Sequence, residues 1–594
     1  MTDPEAGHGT SSDGSTDVAI ARWLAIAYAA SAIGFALYVA WVAIQSHYAV
    51  PYFDDWRILD DLYSSPLLNW IFEDQNGHRV PVTLALFYLD YAYFDGQMNL
   101  LTLASLVCTG LTIAIFVQTL RTERATHDPV AILWIAFACF LLCWAASRHD
   151  LAWGMNQGTL MASLWCTVCV TCISIVLHQK NRGETPGSLP LMAAAVAAIF
   201  ATFSQGIGFS CWAGLLALAV VVRLPIRITA AYAVGTAITL VVYMSGVEIP
   251  MYDSPKMYSD LVFRLPGKLL EFTVALVGAS ASALIPPAWV DDVRNVALAA
   301  GAMGIAAFSV FTIFTSLRRP RLSSFDLFAI GLPTTAIIGG LMVSLNRHFW
   351  PDHAIDLRFS TWSTLFWIGI AFMVPAVNAR ATNKSPRLAI TGTLLIFPIS
   401  VLLVANLQNA HTAQQARSAQ LHYLNTLHLL GIQWDEWSAT TLVKKPELVY
   451  RVADRLRKDS SSFFTEARAS YPGSSIAKDF NIIHSKHCEG EMTSTNRAQA
   501  RDGSILHLTG WAKSLNPERE IDQILITGHR GTIEGLASFV HRDTKLARSK
   551  VPRQNDPWAG FLKHPKGDPP YRAFALFDDG ESVCKLDIKF PNFP

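Results

Sequence analysis

The segment Pro51–Arg79, PYFDDWRILDDLYSSPLLNWIFEDQNGHR, concentrates groups able to move protons and bind anions. It holds Asp54 and Asp55 side by side, then Asp60, Asp61, Glu73 and Asp74, and it ends on His78 and Arg79. A neighbouring like charge raises a carboxyl pKa, which brings one member of an adjacent pair toward the range of a general base. One carboxylate would take a proton from a hydroxyl, and the other would orient it or bind a cation. The competing reading is a helix cap, because Asp is a favoured N-cap and WRILDDLY follows with apolar spacing. A cap accounts for one Asp and leaves the second, with its flanking Phe53 and Trp56, unexplained. His78 and Arg79 also read in two ways. Either Asn76-Gly77 makes a turn with an ordinary basic flank, or the pair clamps a phosphate, Arg offering a fork of donors while His assists.

Other polar groups recur in later loops. Arg347, His348, His353 and Arg358 lie close in sequence, and Arg347 and Arg358 are candidates for holding a phosphate. Each reads equally as a snorkelling side chain or a headgroup contact. His149, Asp150, Trp153, Asn156 and Gln157 form a third patch that can hydrogen-bond and stack on a sugar, with Glu73 as a further acceptor contact. Helix capping and an aromatic interface belt are the alternative. Ser204-Gln205-Gly206 separates two short apolar runs and suggests a hairpin. There is no zinc-type cysteine spacing, and Cys166, Cys169 and Cys172 read as small packing residues inside an apolar helix.

These residues must be positioned by elements that are mostly apolar. Of 594 residues, 51% are hydrophobic and 16% charged, against about 25% charged in a soluble domain. The net charge of +1 supplies no basic field for nucleic acid. Residues 1–17 are polar and Gly/Ser-rich and read as a disordered cytoplasmic tail. Val18–Gln45, interrupted only by Arg22, is a retained first span. Further runs over 98–120, 129–147, 159–178, 189–204, 207–223, 228–246, 295–316, 325–345, 361–378 and 388–406 give a polytopic α-helical membrane domain over 18–406 with about 11–12 spans. Its first extracytoplasmic loop is 46–97, within which Val80–Phe94 reads as a helix along the membrane surface.

Short loops bearing Arg121 and Arg124, Lys180 and Arg182, Arg223 and Arg227, Arg318–Arg321, and Arg380–Arg387 favour the cytoplasm. Alternation places all of them on one side only if 268–286 is re-entrant, broken or interfacial. The amino terminus is then cytoplasmic, and the polar loops and everything after the last span lie outside the cytoplasmic (inner) membrane. Residues 407–479 read as a helical connector. Residues 480–594, with short alternating runs separated by turn residues, read as a soluble β-sandwich. Cys488 and Cys584, near its two ends, either pair as a disulfide or remain thiols.

Asp54-Asp55 after the first span, Asn76-Gly77-His78-Arg79, Trp153-Gly154-Met155-Asn156-Gln157 and Arg358-Phe359 together resemble the GT-C superfamily of membrane glycosyltransferases over about residues 18–406. The trailing β domain, with Gly510-Trp511-Ala512, resembles extracytoplasmic domains appended to bacterial members. The resemblance implies a sugar on a polyprenyl phosphate as donor, a glycan or lipid-linked acceptor, and inversion at the anomeric carbon. It assigns the base role to Asp54 with Asp55 as partner, or the reverse. Some members use a divalent cation. This chain has Gly77 where many relatives have Glu, and Phe359 where they have Tyr. A polysaccharide polymerase or ligase would place its key Arg and His in large later loops. A transporter or flippase of lipid-linked glycans would show mid-membrane ionisable residues and internal repeats.

Overall fold

In lipid, a backbone must satisfy its own N–H and C=O groups, and a continuous apolar run does so as a helix. The computed structural model describes residues 13–46, 51, 54–75, 77–145, 156–246, 266–285, 292–318, 321–347, 350–355, 359–381, 386–408, 446–459, 461–465, 470–483, 485–500, 503–528, 530–540, 556–563 and 571–590. The helices in chain order are α1 (Asp13–Ser46), α2 (Asp55–Ser64), α3 (Leu67–Phe72), α4 (Pro81–Tyr93), α5 (Asn99–Thr122), α6 (Pro129–Ala145), α7 (Gln157–Asn181) and α8 (Ser188–Ser204). After a 3₁₀ turn, Gly206–Phe209, come α9 (Ser210–Val222), α10 (Ile226–Met244), α11 (Pro266–Ser282), α12 (Val293–Arg318), α13 (Ser324–Arg347), α14 (Ser360–Asn378), α15 (Pro386–Gln408) and α16 (Pro446–Lys458).

Among the described residues, 8 helices are long and apolar enough to cross a membrane, with α6, α8 and α9 as shorter apolar helices. Each run read as a span is occupied by a helix over most of its described residues. The first helix begins at Asp13, inside the stretch 1–17 expected to be disordered; residues 1–12 lie outside the described set.

The chain groups into two units, one of 1–45, 68–86 and 101–408, the other of 46–67, 87–100 and 409–594. In the first, α7 and α14 are central, with 72% and 78% of their apolar windows buried. Helices α1, α10, α12 and α15 instead turn large apolar side chains outward, among them Trp41, Val241, Leu317 and Leu394, as lipid contact requires. Phe116, Phe328 and Phe372 pack together where α5, α13 and α14 meet, with centroids 4.8–5.8 Å apart. Helix α11 is continuous from Pro266 to Ser282, which excludes a break before Ser282 and leaves the re-entrant and interfacial alternatives for 268–286 standing. Its Gly278 and Gly301 of α12 let the two backbones touch: a Cβ on either would overlap a carbonyl of the other helix.

Polar contacts identify one end of this bundle. Glu123 Oε1 accepts from Ser324 N at 2.6 Å and lies 3.2 Å from His178 Nε2. Ser324 Oγ is 2.6 Å from Ser174 Oγ. Arg380 pairs with Asp326, Asn378 Nδ2 donates to Asp128 Oδ2 at 2.9 Å, and Lys180 Nζ donates to the Val222 carbonyl at 2.8 Å. The last turns of α5, α7, α9 and α14 therefore meet the first turns of α6 and α13, and the short basic loops share that end. Helix α7, 25 residues or about 37 Å long, carries Gln157 to the opposite end.

In the second unit the strands are β1 (Asn481–Ile483), β2 (Cys488–Ala500), β3 (Gly503–Ser514), β4 (Ile521–Thr527), β5 (Ile533–Phe539), β6 (Asp556–Lys563), β7 (Arg572–Phe577) and β8 (Ser582–Leu586). The all-β domain expected from the alternation is present as a single 8-stranded sheet, in the order β1-β8-β7-β4-β5-β6-β3-β2. Laid flat, strands β8 and β2 would stand about 29 Å apart at the usual inter-strand spacing. Cys488 of β2 and Cys584 of β8 are disulfide-bonded with Cα atoms 6.2 Å apart, so the sheet curls until its ends nearly meet. One apolar layer, including Leu508, Ile524, Trp558 and Ala575, lies on one face, and another, including Leu525, Leu536, Phe561 and Leu576, lies on the other.

Candidate functional site

The end of the bundle opposite the basic loops gathers polar groups from four separate parts of the first unit. The loop before α4 closes as a tight turn: Gln75 N donates to the His78 carbonyl at 2.8 Å and His78 N to the Gln75 carbonyl at 3.1 Å. Gly77 sits inside this turn at φ +81°, a region a Glu rarely adopts. The turn therefore accounts for a Gly at this position. It also aims His78 and Arg79 at α8 and α10.

His78 Nδ1 and the Tyr243 hydroxyl share a hydrogen bond at 3.2 Å. Gly206, at the break between α8 and the 3₁₀ turn, lies directly beneath this pair: a Cβ there would overlap Tyr243 Oη and stand 2.8 Å from His78 Nδ1. Gln205 breaks the helix in extended backbone, φ −156°, ψ 135°. Gly158, in the first turn of α7, packs equally close, since a Cβ there would stand 2.5 Å from the Ser204 carbonyl and 2.6 Å from Thr83 Oγ1. Thr83 Oγ1 itself donates to Ser204 O at 2.6 Å. At the end of α10, Arg79 Nη2 approaches to 3.2 Å from where a Cβ on Gly246 would sit.

Among the described residues, two groups in this cluster are buried without a hydrogen-bond partner. Gln157 is 1% exposed, and neither its amide oxygen nor its amide nitrogen is hydrogen-bonded. Arg79 Nε is likewise buried and unbonded. Leaving a buried polar group unmatched costs about 1–3 kcal/mol, so such groups concentrate where a ligand is to be bound. The chemistry offered is a guanidinium and an imidazole for an anion, and an amide that both donates and accepts for a hydroxyl.

The structure thus brings together His78, Arg79, Gln157 and the Ser204–Gly206 break. Arg347 is half-buried in the last turn of α13, the helix whose first turn lies at the basic end. Glu73 is exposed. Asp54 and Asp55 belong to the second unit. Asp54 occupies the N-cap position of α2 but makes no side-chain capping bond, and it is half-buried. The capping role weighed for it is therefore not the one its carboxylate plays. Asp55 is 1% exposed. His149, Asp150, Trp153 and Arg358 lie outside the described residues, as do Asn76 and His348. Among the described residues, no group of three or more His, Cys, Asp or Glu side chains is arranged to hold a metal ion.

Tyr243, Thr83, Gly158 and Gly246 were not singled out from the sequence. Tyr243 carried the one usable signal, an amphipathic aromatic residue near the end of an apolar run. Comparison with protein-family models, curated proteins and solved structures finds no match to the chain. Fold and composition define a polytopic α-helical membrane protein with a C-terminal all-β domain.

Proposed function

We propose that the chain is a membrane glycosyltransferase that moves a sugar from a polyprenyl-phosphate donor to a glycan or lipid-linked acceptor outside the cytoplasmic membrane, with inversion. The observation that carries this reading is the convergence of His78, Arg79, the unpartnered amide of Gln157 and the Ser204–Gly206 break at one end of the bundle. The basic loops at the other end support a cytoplasmic placement for that end. The Cys488–Cys584 disulfide supports an oxidising compartment for the β domain.

In this reading Asp54 takes the proton of the acceptor hydroxyl, and the freed oxygen attacks the anomeric carbon. The bond from that carbon to the phosphate oxygen breaks, its electron pair staying with the lipid phosphate. Arg79 and His78 meet the charge that develops there. Asp54 is preferred to Asp55 as base because it is half-buried whereas Asp55 is 1% exposed. Among the described residues, the ion pairs of the first unit lie in loops or near helix ends, as in Glu123–His178, Asp326–Arg380 and Glu271–Arg294. That favours an enzyme working at the membrane surface over a transporter with mid-membrane charges. The test is Asp54→Asn expressed in cells at the wild-type protein level. Loss of a cell-surface glycan modification with build-up of a lipid-linked sugar supports the reading, and an intact modification overturns it.

A further inference from the structure

Helix α2, which begins with the carboxylate pair, has 10 residues, fewer than the roughly 12–15 that sustain a helix alone in water. Its stability must come from what it packs against. Within the second unit that partner is α16, whose Leu448, Val449, Val452, Ala453 and Leu456 are buried. Apolar packing alone leaves a short helix able to rotate and slide. Polar ties remove that freedom.

Arg451 Nε and Nη2 donate to Asp60 Oδ1 and Oδ2 at 2.7 and 2.6 Å, a two-point fork that fixes orientation as well as distance. One turn further, Arg455 Nη1 stands 3.9 Å from the same carboxylate, and its guanidinium lies 5.1 Å from the centroid of the Tyr63 ring. The Tyr63 hydroxyl bonds the Tyr91 hydroxyl, which donates to Asp459 Oδ2 at 3.2 Å. Burial, with the charge of Asp459 adding to it, pushes both phenols above their ordinary value, so they remain protonated donors. Finally, Ser462 N donates to the Asp95 carbonyl. The segment 446–465 is therefore tied to α2 at Asp60 and Tyr63, and to the turn after α4.

We infer that Arg451 is a positioning residue, which through its fork to Asp60 fixes the helix that starts with Asp54 and Asp55 and so sets the direction of the carboxylate pair. What the carboxylates do rests on the glycosyltransferase reading; the clamp rests on the geometry of the second unit alone. The connector between the last span and the β domain is then part of the machinery that aims the base.

The experiment compares the full-length protein in lipid nanodiscs with Arg451→Ala, Arg451→Lys and the exchanged pair Asp60→Arg/Arg451→Asp. It reads amide hydrogen exchange over residues 55–64 and steady-state sugar transfer. In Arg451→Ala, exchange in α2 should rise about tenfold or more as local opening becomes easier. The same variant should lose roughly tenfold or more in kcat with donor KM little changed, the mark of misplacement rather than lost substrate binding. Arg451→Lys, which keeps the charge and loses the fork, should fall between, and the exchanged pair should recover part of both. Unchanged α2 exchange in Arg451→Ala overturns the clamp whatever the activity does. Faster exchange with undiminished kcat overturns the positioning role. If the wild type transfers no sugar, the glycosyltransferase reading fails, and the exchange data alone then decide for or against the clamp.

Discussion

Gly206→Ala puts the smallest possible probe into the candidate site. Gly206 is buried and does not have positive φ, so Ala meets no backbone penalty and the effect is steric. The new methyl would stand 2.8 Å from His78 Nδ1 and overlap Tyr243 Oη. Ordinary contact lies at about 3.5–4.0 Å, so the His78–Tyr243 pair must retreat by roughly 1 Å. Overpacking of this kind costs about 1–3 kcal/mol in stability, which a bundle of this size survives. A 1 Å displacement of a positioned group costs on the order of 10²-fold in rate, equivalent to about 2.7 kcal/mol of barrier.

The assay is transfer of a labelled sugar from a polyprenyl-phosphate donor in proteoliposomes, with thermal melting in detergent run in parallel. The expected result is a melting point lowered by a few degrees at most and turnover reduced about 100-fold. Tyr243→Phe removes the overlapped oxygen, so the two substitutions should be non-additive, with a coupling of about 0.5–3 kcal/mol. Undiminished turnover in Gly206→Ala refutes the idea that the His78–Tyr243 arrangement matters. Strictly additive effects refute the steric account.

Three further outcomes follow from the fold. Gly278→Ala should lower the melting temperature by an amount equivalent to about 1–3 kcal/mol as α11 and α12 are pushed apart. Gly267→Ala, with nothing within 4 Å of its Cβ, should leave melting unchanged, and equal effects would refute the close-approach argument. Cys488→Ser opens a loop of 96 residues and should destabilise the β domain by about 2–5 kcal/mol, read as earlier proteolysis; identical proteolysis of variant and wild type would count against it. Asp579 Oδ1 accepts from Glu581 N at 2.9 Å and Ser582 N at 2.7 Å. Burial alone would raise its carboxyl, but the bonds from Ser582 and Glu581, with Arg519 nearby, outweigh it and hold the group below the ordinary value. A depressed carboxyl adds stability above the ordinary Asp range and loses it as pH falls through the folded value. The stability gap between wild type and Asp579→Asn should therefore narrow as pH falls through and below the ordinary Asp range, and a pH-independent gap in melting would refute it.

The membrane domain was legible because each span is a continuous apolar run, and lipid leaves such a run few alternatives. The three alternatives for 268–286, of which a break was one, were argued from charge placement, a long-range property. The helix is set locally by apolar residues and by Gly278, whose packing against α12 cannot be seen along one strand of sequence. Alternation likewise announced the strands but not their closure: β4 and β7 are buried on both faces, which blurs the period-2 signal. In the site, His78, Arg79 and Gln157 stood out as polar groups in loops or at a helix start. Tyr243 did not, because its role depends on a turn 165 positions away.

The fork between Arg451 and Asp60 spans a sequence separation of 391. At about 5–20 residues added per second, the ribosome needs roughly 20–80 s to deliver the arginine after its aspartate has emerged. Throughout that interval α2 lacks the partner that holds it, while span after span is inserted. Biogenesis must therefore shelter a short, half-apolar helix until synthesis is nearly complete. A chain truncated after the last span would lack the fork that holds α2.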